Sequence, residues 1–231
     1  MTISILAFDA KTGTYGGAAT TGSLCVGGWV LRGDPESGLS ASQGSLPSTM
    51  WGTDVLALMR HGTGAAEAVA EIVGQDPGRG ERQLSALDPR GSTGHFTGAH
   101  SIAVAGARQA PDVVVAGNLL ASEAVLVACL DGFMTAEGSL DNRLLAALAA
   151  ASAAGGDSRG LLSAALLVVS RASPPLTLRV DQSEAPLSAL ADLHRCATTG
   201  EYADWARHVP VLDDPTRALP YAVDDSAPIR R

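Results

Sequence analysis

Thr2 is the first residue whose position suggests chemistry. A threonine after the initiator methionine is small enough for Met1 to be removed, which would leave a free α-amine beside the Thr2 hydroxyl. Such an amine titrates near neutral pH, so it can act as general base for its own side chain, which becomes a nucleophile. Asn118 follows the apolar run Val113–Ala116 and Gly117. At a strand end its amide either donates to a developing oxyanion or caps the turn before the next helix. Gln43 closes the stretch Ser40-Ala41-Ser42-Gln43-Gly44 and offers an orienting amide. In Gly155-Gly156-Asp157-Ser158-Arg159-Gly160, Asp157 and Arg159 either bind a polar substrate or hold each other in a turn. Cys25 sits in a near-apolar stretch and reads as core; with Ser42 it is the alternative nucleophile.

Other chemistries are excluded. Of 16 basic residues the only lysine is Lys11. The chain therefore lacks a phosphate-binding Gly-Lys-Ser/Thr loop and a Ser-x-x-Lys pair. Gly156-Asp157-Ser158-Arg159-Gly160 matches Gly-x-Ser-x-Gly by letter. A nucleophile elbow, however, needs a strand before the serine and a helix after it, and here that order is reversed. The five histidines show no metal-ligand spacing, and no glycine motif follows a strand as in dinucleotide sites, so neither a metal nor a cofactor is expected. A net charge of −8 with nine aromatics argues against nucleic acid. Cys25, Cys129 and Cys196 are widely spaced and odd in number, which fits a reducing, cytoplasmic setting. No charge-free run of about 18 apolar residues is present, so no membrane span is expected. The opening residues read as a strand rather than a signal peptide.

The elements that position these residues follow from periodicity. Thr2–Asp9 and Tyr15–Gly22 read as a hairpin, and the glycines and alanines of its second strand imply a close neighbour, either a packed helix or a ligand. Val26–Leu31 and Gly38–Gln43 read as further strands. Helices are expected from Ser48 to about His61 and from Thr63 to about Val73. Strands follow at 83–88, 92–97, 101–107 and 113–116. Helices then open at Ser122 and Asp141, strands at Ser163 and Leu176, and a last helix near Ser183, with Pro186 suited to its first turn. Runs of strands alternating with runs of helices indicate an α+β layered fold. Residues 1–208 read as one domain and residues 209–231 as an extended Pro/Asp-rich tail.

Several segments in order resemble a bacterial family known as domain of unknown function 1028. They include the opening Met-Thr-Ile-Ser-Ile-Leu-Ala, Asp76-Pro-Gly-Arg-Gly-Glu-Arg82, His95-Phe-Thr-Gly98, Val115-Ala-Gly-Asn118, Gly155-Gly-Asp157-Ser-Arg159-Gly160 and Leu178-Arg-Val-Asp181. That family is grouped with the N-terminal-nucleophile (Ntn) hydrolases. The resemblance covers about residues 1–191. It implies a four-layer α-β-β-α sandwich of antiparallel sheets with Thr2 as nucleophile. On that basis the chain is expected to be an amidohydrolase cleaving a small polar amide or peptide-like substrate. Thr2 and Asn118 would be catalytic, Gln43, Asp157 and Arg159 would orient the substrate, and the assembly would be a homodimer. Proteasome-like relatives lower the nucleophile's pKa with a lysine. Lys11 lies roughly 25–30 Å along an extended strand from Thr2, so the α-amine or an arginine must take that role. The competing expectation is a non-catalytic ligand-binding or assembly module that keeps the hydrolase fold and uses its tail against a partner.

Overall fold

A computed structural model describes residues 2–157 and 159–218. The chain opens with β1 (Thr2–Asp9) and β2 (Thr14–Thr21), then the short helix α1 (Val26–Trp29), β3 (Leu31–Asp34) and β4 (Gly38–Gly44). Helices α2 (Thr49–Arg60) and α3 (Ala65–Gly74) precede β5 (Arg82–Leu87), β6 (Thr93–Thr97), β7 (Gly106–Ala110) and β8 (Val113–Asn118). Helices α4 (Ala124–Thr135) and α5 (Leu140–Ala153) lead into β9 (Ser163–Val169), β10 (Leu176–Val180), α6 (Pro186–Thr198) and α7 (Gly200–Ala206).

The strands form two sheets. One has six strands in the order β10-β9-β2-β1-β8-β7, the other four in the order β3-β4-β5-β6. All pairings are antiparallel. Alternation along each strand sends residues to two faces. Ile3, Ile5 and Ala7 of β1 face α4 and α5 in one apolar cluster, with Leu144, Leu148 and Val125. Leu6 of β1 meets Leu39 and Leu87 of the other sheet in a second cluster. On the far face of the four-stranded sheet, Leu84 and Ala86 pack beneath α2 and α3 against Trp51, Val55 and Val69. The chain is thus a mixed α+β fold of two antiparallel sheets with helices. Among the described residues no helix is long and apolar enough to cross a membrane.

The hairpin and most of the expected strands are present, but two segments differ. Val26–Leu31 is not a strand: Val26–Trp29 is a helical turn, and the strand begins at Leu31. Buried Ser163 accepts the Val26 N–H at 3.1 Å and donates to the Ser23 carbonyl at 2.7 Å, fixing the turn. Gly27 lets the turn press onto β9 and β10; a Cβ there would lie 2.7 Å from both Ala165 Cβ and Arg179 Cγ. Cys25 is accordingly not strand core. It is half-buried at the start of this turn in the left-handed region, with φ 61°. The second difference is the segment 101–107, where strand structure begins only at Gly106.

The close neighbour implied by the glycines of β2 is a helix. A Cβ on Gly16 would lie 2.5 Å from Leu144 Cδ1 and 2.9 Å from Leu140 Cδ2, both on α5. Residues 209–218 return to the domain: the Asp213 N–H donates to the Arg171 carbonyl, Arg171 Nε binds the Asp213 carboxylate at 2.9 Å, and Val211 is buried. The remainder of the expected tail, residues 219–231, lies outside the described residues, as do Met1 and Ser158.

Candidate functional site

The space between the two sheets changes character along its length. At one end it is apolar, with Leu6, Phe8, Tyr15, Leu39, Leu87 and Val114. The same strand faces turn polar at the other end: Leu6 is preceded by Ser4 and Thr2, Leu87 by Ser85 and Gln83, Leu39 and Ala41 are followed by Gln43, and Val114 and Ala116 by Asn118. Period-two alternation puts each of these residues between the sheets, and register brings them together. Thr2 stands opposite Thr21 on β2 and Asn118 on β8. Gln43 stands opposite Gln83. Directly opposed side chains on one face of a sheet lie about 5 Å apart at Cβ.

Gln83 is the hub of the cluster. The two N–H bonds of its Nε2 are shared among the Gly117 carbonyl at 3.0 Å, the Gly106 carbonyl at 3.1 Å and Thr97 Oγ1 at 2.9 Å. Carbonyls only accept, so the Gln83 amide is locked in one orientation. Its Oε1 then accepts from Gln43 Nε2 at 2.6 Å and from Asn118 Nδ2 at 3.2 Å. Gln43 Nε2 also approaches the Thr2 carbonyl at 3.5 Å. The orientation of one amide therefore sets that of two more, and all three flank Thr2. Gln43 Oε1 is left buried with no hydrogen-bond partner, as are the Ser4 and Ser85 hydroxyls.

Thr2 is half-buried, and its Oγ1 donates to Thr21 Oγ1 at 3.3 Å. It opens onto a cleft of about 270 Å³ whose walls include Thr21, Ser23, Leu24, Trp29, Gln43 and Pro47. Two of the expected residues lie on the far side of the Thr21–Ser23 strand end. The Asp157 carboxylate accepts the Gly22 N–H at 2.6 Å and binds Arg159 through its N–H at 2.8 Å, Nε at 3.1 Å and Nη2 at 3.0 Å. Burial pushes the Asp157 carboxyl up, but the Arg159 guanidinium and the Arg159 and Gly22 N–H groups outweigh it and hold it below the usual carboxylate range. Asp157 lines a neighbouring hollow with Gly155, Gly156 and Gly160. Arg159 reaches back toward the cleft as far as Ser23 Oγ, at 3.5 Å. Gly22 has to be glycine here, because a Cβ would lie 2.5 Å from both Asp157 Oδ2 and the Gly160 carbonyl.

The structure thus brings Thr2, Asn118 and Gln43 together directly and places the Asp157–Arg159 pair one strand end away. Of the alternative nucleophiles, Ser42 points to the other face of its sheet and donates to the Ser48 carbonyl at 2.6 Å. Gln83, Thr21 and Trp29 were missed from the sequence. Gln83 carries a legible signal, because Gln83-Ser85-Leu87 shows the same polar-to-apolar alternation as Thr2-Ser4-Leu6.

The profile of a family of unknown function (DUF1028) matches residues 2–190. Among solved structures, the protein SPO2555 from Silicibacter pomeroyi, assigned to the same family, is similar at 49% sequence identity with a TM-score of 0.91, over 94% of this chain and 99% of that one. No curated protein matches.

Proposed function

The chain belongs to the DUF1028 family, and from its geometry we propose that it is an amidohydrolase of the N-terminal-nucleophile type, acting on a small amide. We read the two sheets and the helices packed on their outer faces as the four-layer sandwich of that hydrolase class. One observation carries the proposal: the residue after Met1 is a half-buried threonine at the polar end of the inter-sheet space, beside a cleft and ringed by oriented amides.

In the proposed reaction Met1 is first removed. The Thr2 α-amine takes the hydroxyl proton as Oγ1 attacks the amide carbonyl carbon. One N–H of Asn118 is held by Gln83, and the other is assigned to the developing oxyanion. Collapse expels the amine, which receives the proton from the α-ammonium. The resulting Thr2 ester is cleaved by water, which the same amine activates. Lys11 lies beyond the opposite end of β1 from Thr2, so the α-amine works among neutral amides instead of beside a lysine.

The test uses a β-lactone, which a nucleophilic hydroxyl opens to a stable ester. Intact-mass and peptide mapping of Met1-free protein should show one adduct, on Thr2. Thr2→Ala should give none and should lower amide hydrolysis about a thousandfold or more. Retention of Met1 in the native host, or an adduct that persists in Thr2→Ala, would overturn the proposal; the former leaves a ligand-binding module on the same fold.

A further inference from the structure

The cleft beside Thr2 has two properties that bear on what it takes, and the inference rests on the amidohydrolase reading only in naming the ligand a substrate. First, no side chain among the described residues lining it carries a charge, and the one ionisable group the proposed reaction adds there is the Thr2 α-amine. The flanking ions Asp157 and Arg159 are bound to one another. A cationic ligand group entering such a cleft would lose water, gain no counter-ion and meet the like-charged α-ammonium, which is costly. Second, Gln43 lines the cleft with only 1% of its surface exposed, and its Oε1 has no hydrogen-bond partner. The carbonyl-locked Gln83 prevents the Gln43 amide from reversing, because its Nε2 must face Gln83 Oε1. Buried acceptors in native proteins are almost always satisfied, so this one calls for an N–H from a ligand. The opposite wall is apolar, formed by Leu24, Val26, Trp29 and Pro47, and the Trp29 indole is 52% exposed.

We propose that the cleft selects a neutral carboxamide that keeps at least one N–H, seats that N–H on Gln43 Oε1, and packs a compact apolar group against Trp29. A volume of about 270 Å³ corresponds to roughly nine water-sized groups, the scale of a single ring with its amide. Acyl groups bearing a free ammonium in the cleft are rejected.

Titration by ligand-observed NMR tests this with the Thr2→Ala protein, which cannot turn the ligand over. Four probes are compared: benzamide, N-methylbenzamide, N,N-dimethylbenzamide and the cationic benzamidinium. Benzamide and N-methylbenzamide should bind at least tenfold more tightly than the dimethyl amide and benzamidinium. Trp29→Ala, a change at an exposed side chain, should weaken benzamide about tenfold with the thermal midpoint unmoved. Gln43→Leu should erase the difference between the N-methyl and dimethyl amides. Benzamidinium or the dimethyl amide binding as well as benzamide would overturn the inference, as would a folded protein that binds none of the four. Benzamide binding with the expected selectivity, but without any turnover or lactone adduct in Met1-free wild-type protein, would uphold this inference and overturn the catalytic proposal.

Discussion

Gln83 shows how one side chain organises a site it does not form. Its amide satisfies two backbone carbonyls and orients the amides of Gln43 and Asn118. Replacing it by leucine keeps the bulk but strands those carbonyls and both amide donors. An unpaired buried polar group costs about 1–3 kcal/mol, so Gln83→Leu should lower unfolding stability by roughly 3 kcal/mol or more, read from denaturant titration. Lactone labelling of Thr2 should fall with it. Thr2 was legible from its place after Met1, and Asn118 and Gln43 as amides at strand ends. Asp157 and Arg159 were legible as a pair, but not the Gly22 N–H that Asp157 holds. Gln83 follows the same alternation rule yet was passed over, because a single strand does not disclose which neighbour its polar end will face.

At the scale of elements, β2 shows why composition alone left two readings open. Its glycines implied a close neighbour, and both a helix and a ligand satisfied that implication. Packing decides between them, since Gly16 lies under Leu140 and Leu144 of α5. A larger residue there overpacks a fully buried site, which typically costs 1–3 kcal/mol. Gly16→Val should therefore destabilise by about 2 kcal/mol. Leu144→Ala should cost less in the Gly16→Val background than alone, because the new side chain occupies the vacated space; a double-mutant cycle by thermal unfolding measures the coupling. The turn Val26–Trp29 failed as a strand expectation for a related reason. Its apolar residues suit a strand by composition, while the Ser163 hydroxyl and the close approach of Gly27 to Ala165 hold it helical. That turn supplies Trp29 to the cleft wall.

For the whole molecule, the segment after α7 bears on stability, and its removal offers a test of assembly. Residues 209–218 pack on the domain through Val211 and the Arg171–Asp213 pair. Truncation after His208 should remove about 1 kcal/mol, mostly from the lost apolar burial, because exposed ion pairs contribute little. For a chain of this size that is a drop of roughly 2–4 °C in Tm. Light scattering on the same truncation reports on the expected homodimer: a changed mass would assign the segment to a partner contact, and an unchanged mass to intramolecular packing.

The sequence by itself determined the local quantities: the hairpin, the helix starts at caps, the α+β order of elements, the single lysine and the polar residues at strand ends. These follow from side-chain periodicity and backbone preference, which neighbours in the chain decide. Only the tertiary structure decided that four strands from two sheets bring their polar ends to one place. It also decided that Gln83 locks three amides in one orientation and that no side chain among the described residues lining the cleft beside Thr2 carries a charge. Those properties depend on register and on the stacking of one sheet over the other, and both are set by long-range packing that no single segment encodes.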